Sequence, residues 1–265
     1  MPIVGPVTTV LKDIDAQIDQ QQASSERTMP DAEAIADWWS LIDNWRAAHG
    51  LWHGRRYGES DFIMPQDAIT ALYEATNGEA YVTSDVGQHQ MFAAQYYKFD
   101  YPRRWINSGG LGTMGFGLPA AMGIKLAMPD AEVACVTGEG SIQMNIQELS
   151  TCAQYDVPVK IVNLRNNYLG MVKQWQDMQY DSRYSESHYA SSLPDFVKLA
   201  EAYGHVGMEI KYKADLEPAM GKAFAMKDKL VFLDIFIEPD EHVYPMHVAP
   251  SGAMKDMWLS KTERT

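Results

Sequence analysis

Cysteine is scarce in this chain. The two present among 265 residues, Cys135 and Cys152, form no C-x-x-C pair, and the apolar run around Cys135 makes a small buried thiol the expected role. Positive charge is also short. Lys and Arg number 22 against 35 Asp and Glu, a formal net charge of −13, which argues against nucleic acid as a partner. No apolar run approaches the roughly 20 residues of a membrane span. Met1-Pro2-Ile3-Val4 lacks the basic and apolar regions of a signal peptide, so the chain is expected to be cytoplasmic, with no membrane partner. Internal repeats are absent. What remains is ordinary for a globular protein, 46% hydrophobic and 22% charged, with length for one or two domains and a sizeable core.

Helical spacing of Val7, Val10, Leu11, Ile14 and Ile18 predicts a short amphipathic helix over Val7–Ile18. Asp19 to Asp31 is Gln- and Ser-rich and reads as a flexible linker. Ala32–His49 reads as a helix with Ile35, Trp38, Trp39, Ile42 and Trp45 on one side, a stripe suited to packing. Arg55–Ser60 is a second polar break. From Met64 onward helical and strand signals alternate. Strands are expected at Tyr81–Thr83, Val133–Thr137, Val159–Leu164, Val206–Ile210 and Val231–Ile237, with helices between them. That alternation predicts an α/β fold, a doubly wound and mostly parallel sheet, behind an N-terminal helical and linker segment.

Within this pattern one strand-helix-strand unit carries chemistry. The strand ending at Thr137 runs into Gly138-Glu139-Gly140, and the next ends in Arg165, Asn166, Asn167 and Tyr168. Asn145 and Glu148 have the spacing of a capping box opening a helix to Gln154. A carboxylate, an amide oxygen and a backbone carbonyl at neighbouring strand ends are hard oxygen donors suited to Mg²⁺ beside a diphosphate. Each motif alone is also common turn chemistry. A rival lies nearby. Gly110-Leu111-Gly112-Thr113-Met114-Gly115 matches G-x-G-x-x-G, with Glu139 at the distance of a ribose-binding acid, as in an NAD-binding Rossmann unit. Against it, Arg103–Asn107 makes a poor buried strand to lead into those glycines.

Gly138-Glu139-Gly140-Ser141-Ile142-Gln143-Met144-Asn145-Ile146-Gln147-Glu148-Leu149 resembles the thiamine-diphosphate motif of acetolactate (acetohydroxyacid) synthase large subunits. Leu169-Gly170-Met171-Val172-Lys173-Gln174-Trp175, Ser84-Asp85-Val86-Gly87-Gln88-His89 and Gly110-Leu111-Gly112-Thr113-Met114-Gly115 are similar to the same family. The resemblance runs from about Ile3 to Thr265. It implies a transferase of branched-chain amino acid biosynthesis that decarboxylates pyruvate on thiamine diphosphate and condenses it with a second 2-oxo acid.

By the same resemblance, Glu139, Asn166 and Tyr168 would hold Mg²⁺. Gly87, Gln88, His89, Gly112, Thr113, Met114, Gly138, Gly140, Ser141, Met144, Gly170 and Met171 would line the cofactor, and Val172 and Trp175 the substrate channel. Residues 1–62 would be a remnant of a middle domain with a linker and helix, and 63–265 the diphosphate-binding domain with a C-terminal tail that folds over the active site. The family's pyrimidine domain, which carries the ring-activating glutamate, has no counterpart here. This chain is therefore expected to supply no catalytic residue of its own, not to hold the family's FAD, and to be inactive in isolation. It would need a chain with the pyrimidine and FAD domains, a homodimeric arrangement and possible association with a small regulatory subunit. Without them it could be a non-catalytic cofactor-binding or assembly module.

Two departures from the family pattern stand out. Glu139 replaces an Asp and is longer by about 1.5 Å, so it must bend back or bind through water. Counting from Gly170-Met171-Val172, the amide ligand of the family falls on Asn166, with Asn167 one place late and Arg165 replacing the first amide.

Overall fold

The computed structural model describes residues 3–24, 31–49, 62–189, 191–247 and 256–260. The chain divides into two compact units, Met1–Arg55 and Arg56–Thr265. In the first, α1 spans Val7–Ser24 and α2 spans Ala32–His49. The helix α1 therefore continues six residues past Ile18 into the stretch expected to be a linker. Gln and Ala propagate a helix well once one has started, and polarity alone does not end it. Residues 25–30 and the expected break at Arg55–Ser60 lie outside the described residues. The α2 stripe is not buried: Trp38, Trp39 and Trp45 are half exposed.

In the second unit α3 (Pro65–Ala75) leads to β1 (Tyr81–Ser84), α4 (Gln88–Tyr96) and β2 (Trp105–Asn107). Then follow α5 (Gly117–Ala127), β3 (Val133–Thr137), α6 (Glu139–Gln143), α7 (Glu148–Gln154) and β4 (Lys160–Arg165). The chain continues through α8 (Gly170–Gln179), α9 (Phe196–Ala202), β5 (Val206–Ile210), α10 (Lys213–Ala225) and β6 (Val231–Phe236). Short strands β7 (Met246–His247) and β8 (Met257–Trp258) pair antiparallel. The main sheet has the order β2-β1-β3-β4-β6-β5 with every pairing parallel. Among the described residues no helix is long and apolar enough to cross a membrane.

Parallel strands joined by right-handed crossovers put their helices on a face set by the direction of travel. The chain moves one way from β2 to β3 to β4 to β5, so α5, α7 and α9 share a face. It moves the other way from β1 to β2 and from β5 to β6, which sends α4 and α10 to the opposite face. The first face buries Leu118, Ala121, Cys135, Leu149, Cys152, Ile161, Phe196 and Phe232 in one cluster, with Phe196 and Phe232 stacked at 5.5 Å. Both cysteines are free and buried there, as expected of Cys135. Strands β3, β4 and β6 are almost wholly buried, which explains why they read as continuous apolar runs rather than alternating ones.

Two expectations hold with refinement and one needs correction. The stretch Arg103–Asn107 does contain a strand, β2, at the sheet edge. It is only half-buried, and Arg104 lies ahead of it with its guanidinium 4.0 Å from the centre of the Tyr81 ring, so neither charge enters the core. The Rossmann arrangement still fails, for another reason. The strands either side of α5, β2 and β3, are separated by β1, so the glycine loop and Glu139 do not belong to neighbouring strands. Finally, Asn145 and Glu148 form no capping box. A first helix, α6, starts at Glu139 itself; turns over Met144–Gln147 interrupt it, and α7 starts at Glu148. The Asn145 side chain donates to Gly115 O at 2.8 Å, tying the turn to the glycine loop instead of capping α7.

Phe232 is fully buried between strand and helices. Phe232→Ala should cost about 3–5 kcal/mol of unfolding free energy in urea titration, by transfer and cavity terms together. Trp38→Ala, on a half-exposed ring, should stay within about 0.5 kcal/mol.

Candidate active site

The strand order reverses between β1 and β3, and the crevice at the carboxyl ends of these strands and β4 is where such sheets receive ligands. A cavity of about 180 Å³ lies there. It is smaller than the roughly 300–1,000 Å³ of a complete ligand site, so it would enclose only part of a large cofactor. Of the residues singled out in the sequence, the cavity is lined by Gly87, Gln88, His89, Met114, Gly138, Glu139, Gly140, Ser141, Asn166, Tyr168, Gly170, Met171 and Val172. Gly112, Thr113, Met144 and Trp175 do not line it. Gly112 and Thr113 close a turn through Ser108, whose carbonyl accepts from Gly112 N and whose Oγ accepts from Thr113 N. Met144 is 56% exposed, and Trp175 is half-buried along α8.

The crevice is braced by a residue to which the sequence reading assigned no role. Asp85, buried just past β1, accepts from Gly117 N at the start of α5 and from Thr137 Oγ1 at the end of β3, both at 2.6 Å. His89 Nε2 lies 3.8 Å from Asp85 Oδ2 but is buried with no hydrogen-bond partner among the described residues. Burial lowers its pKa to about 4 despite the attraction of Asp85. The imidazole is therefore neutral at pH 7, and the close approach is not an ion pair.

Glu139 is 2% exposed. Its Oε1 accepts from the backbone N–H groups of Asn166, at 3.0 Å, and Asn167. The carboxylate is thus folded onto the end of β4, and Oε2 is the oxygen these bonds do not use. Burial raises its pKa to about 7, against the lowering effect of its backbone hydrogen bonds. Asn166 Oδ1 accepts from Tyr168 N at 3.0 Å in a tight local turn. Asn167 takes a left-handed backbone, φ 63°, and its Oδ1 accepts from Arg165 Nε at 3.1 Å. Arg165 also pairs with Asp234 on the neighbouring strand β6 at 3.0 Å.

Among the described residues no group of three or more His, Cys, Asp or Glu could hold a metal. The candidate ligand set has a single acid, Glu139, with the Asn166 side chain and the Tyr168 carbonyl as neutral oxygens. That composition fits Mg²⁺, which keeps waters and phosphate oxygens in its shell, and does not fit an all-protein cage.

Close approach explains two of the glycines. A Cβ on Gly170 would strike the Gln88 and Asn166 side-chain amides, and one on Gly140 would strike the Tyr189 hydroxyl. Tyr189 lines the cavity together with Val86, Phe92, Leu164, Leu169 and Ile237, and the sequence reading placed none of these. Leu164 and Val86 sit at strand ends beside the motifs and were within reach. Tyr189 comes from the segment after α8, and only the fold brings it to Gly140.

Residues 85–235 match the family model described as thiamine pyrophosphate enzyme, C-terminal TPP binding domain. The chain belongs to that family of thiamine pyrophosphate enzymes. Among curated proteins it is 56% identical to the acetolactate synthase isozyme 3 large subunit of Escherichia coli (strain K12), over all of this chain and 45% of that protein. It is 53% identical to the acetolactate synthase large subunit of Haemophilus influenzae, over 99% of this chain and 44% of that one. A Mycobacterium tuberculosis acetolactate synthase large subunit is 40% identical over 94% of this chain and 40% of its own length. The chain thus spans less than half the length of these relatives.

Two buried groups give the site opposing pH dependences. Glu139, raised from 4.5 to about 7, adds stability that is complete below pH 4.5 and lost as the pH climbs through 7. His89, lowered from 6.5 to about 4, adds stability that is complete above pH 6.5 and lost as the pH falls toward 4. Each is worth roughly 3 kcal/mol by linkage, so between about pH 4.5 and 6.5 the two slopes cancel. Glu139→Gln removes one slope. In denaturant titrations the variant should gain roughly 3 kcal/mol between about pH 4 and 6.5, while the parent protein changes little.

Proposed function

We propose that this chain is the cofactor-binding C-terminal part of an acetolactate synthase catalytic subunit, holding the diphosphate end of thiamine diphosphate through Mg²⁺. The observation that carries the reading is the convergence of Glu139, Asn166, Tyr168, Gln88 and His89 on one cavity at the point of strand reversal. The likeness to acetolactate synthase large subunits over the whole chain supports the choice of reaction.

The residues present fit the group. Gly138, Gly140 and Gly170 line the cavity through their backbones, and their missing side chains let His89, Tyr189, Gln88 and Asn166 close in around it. Glu139 Oε2, Asn166 Oδ1 and the Tyr168 carbonyl are hard oxygens. Orphaned Nε2 makes His89 a buried imidazole short of one partner. When bound, thiamine diphosphate supplies the electron sink that decarboxylation of a 2-oxo acid requires. This chain's residues anchor and orient it: Glu139 sets the cation, the glycines admit the diphosphate, and Met114, Leu169 and Met171 give an apolar wall that keeps water from the ligand. Val172 and Trp175 would lie on the route of pyruvate and the second 2-oxo acid. Ring activation and FAD binding would belong to the portion of the relatives that this chain does not span, while a homodimeric arrangement would complete the pocket and a small regulatory subunit could associate with this chain.

The chain alone should therefore bind Mg²⁺–thiamine diphosphate in calorimetric titration yet form no acetolactate from pyruvate above a heat-killed control. Turnover would sink the division of labour, and absence of Mg²⁺-dependent binding would sink the cofactor assignment. Asn166→Ala should weaken that binding at least about ten-fold, the scale of one lost charge-assisted contact. Asn167→Ala should leave affinity within about three-fold and instead lower stability by about 1 kcal/mol, because alanine tolerates the left-handed backbone poorly. If Asn167→Ala proves the more harmful to binding, the ligand register is off by one.

A further inference from the structure

The buried polar side chains of α8 converge on the segment that follows β6. Gln174 is wholly buried. Its Nε2 donates to Val243 O at 2.9 Å, and its Oε1 accepts from Val243 N at 3.0 Å. A peptide N–H can only donate and a carbonyl only accept, so Val243 leaves the Gln174 amide a single orientation. That Oε1 also accepts from Gln88 Nε2 at 2.8 Å. Gln88 must therefore present its NH₂ on this side. The same NH₂ faces His242 Nδ1 at 3.3 Å, which makes Nδ1 an acceptor and puts the ring proton on Nε2. From there it is donated to Asp177 Oδ2 at 2.7 Å. Asp177 is in turn paired with Lys173 at 2.8 Å, and Lys173 reaches Asp240 at 2.7 Å, closing the buried cluster around the tail.

With its NH₂ committed to the tail side, Gln88 turns Oε1 toward Asn166 Nδ2, at 3.5 Å. The two amides meet over Gly170, where any side chain would strike both. Asn166 thus has its nitrogen drawn toward Gln88 while its Oδ1 accepts from Tyr168 N at 3.0 Å, and both bonds select the same orientation of the amide. The orientation passes without a break from an unambiguous backbone peptide to the amide proposed as a cation ligand.

We infer that Gln174 is a positioning residue: through Gln88 it couples docking of the tail at Val243 to the Asn166 amide, reinforcing the Tyr168 N–H bond in holding the Asn166 oxygen, rather than its nitrogen, toward the cation. This rests on the cofactor reading above and adds to it a role for the tail in assembling the ligand set.

Two substitutions separate positioning from packing. Gln174→Met keeps the volume but removes the acceptor for Gln88. Gln174→Glu keeps that acceptor, and the one for Val243 N, while setting a buried carboxylate against Val243 O. A packing role ranks the variants by stability, with Met the better tolerated. A positioning role ranks affinity the other way: Mg²⁺-dependent thiamine diphosphate binding should fall about ten-fold in Gln174→Met and stay within about three-fold in Gln174→Glu. Affinities that follow stability overturn the inference. A parent protein that binds no cofactor overturns the functional reading instead. The inference is then decided by nitrogen-edited NMR of the Gln88 side-chain amide without ligand. Its protons should exchange slowly in the parent and in Gln174→Glu, and fast in Gln174→Met. Equal exchange in all three overturns it.

Discussion

The Asp85 carboxylate sits where β1, α5 and β3 come together, and both of its oxygens are used, by Gly117 N and by Thr137 Oγ1. A parallel sheet whose strand order reverses must leave a gap at that point, because neighbouring crossovers diverge to opposite faces. A buried carboxylate that accepts two short hydrogen bonds across the gap holds its walls at one separation. Everything in the candidate site hangs from those walls. His89 rises from the α4 side, Glu139 follows Thr137 by two residues, and β4 lies next to β3 with Asn163 opposite Thr137. Removing the brace would leave the Gly117 N–H and the Thr137 hydroxyl without these acceptors in a buried interior, which costs more than the net worth of the bonds.

Most of the sheet was legible in the sequence because its strands are buried on both faces. Val133–Thr137, Val159–Leu164 and Val231–Ile237 are short, largely apolar runs bounded by turn residues, and that signal needs no tertiary information. The places where the reading failed are those where tertiary context decides. Strand β2 carries little hydrophobic signal, since an edge strand need bury only half its surface. The Asn145–Glu148 pair has capping-box spacing, but Asn145 finds a better partner in Gly115 O, and the helix breaks there. The Asp19–Ser24 stretch looked like linker because it is polar, yet polar helix formers extend α1 to Ser24.

The site divides in the same way. Gly138-Glu139-Gly140 and Asn166-Asn167 are local motifs at strand ends, so spacing suggested that they meet, and the family resemblance chose that reading over ordinary turn chemistry. The orientation of their side chains was not legible. That Glu139 folds onto the Asn166 and Asn167 N–H groups depends on the register between β3 and β4. The contacts of Tyr189 with Gly140, and of Gln174 with Val243, join segments far apart in sequence. Both leave only an indirect trace, a glycine or a glutamine whose purpose is invisible until its neighbour is known.

The glutamine pair between tail and site has a consequence in linkage. Coupling free energy between two sites is reciprocal. Whatever factor tail docking adds to the affinity for the cation and diphosphate, those ligands must add to the docking equilibrium of the tail. The segment from Glu238 to His247 is then both a reporter and a lever. If the inference holds, its rate of cleavage by a protease would measure cofactor occupancy without any turnover, and a partner that grips it would tune cofactor retention without touching the cavity.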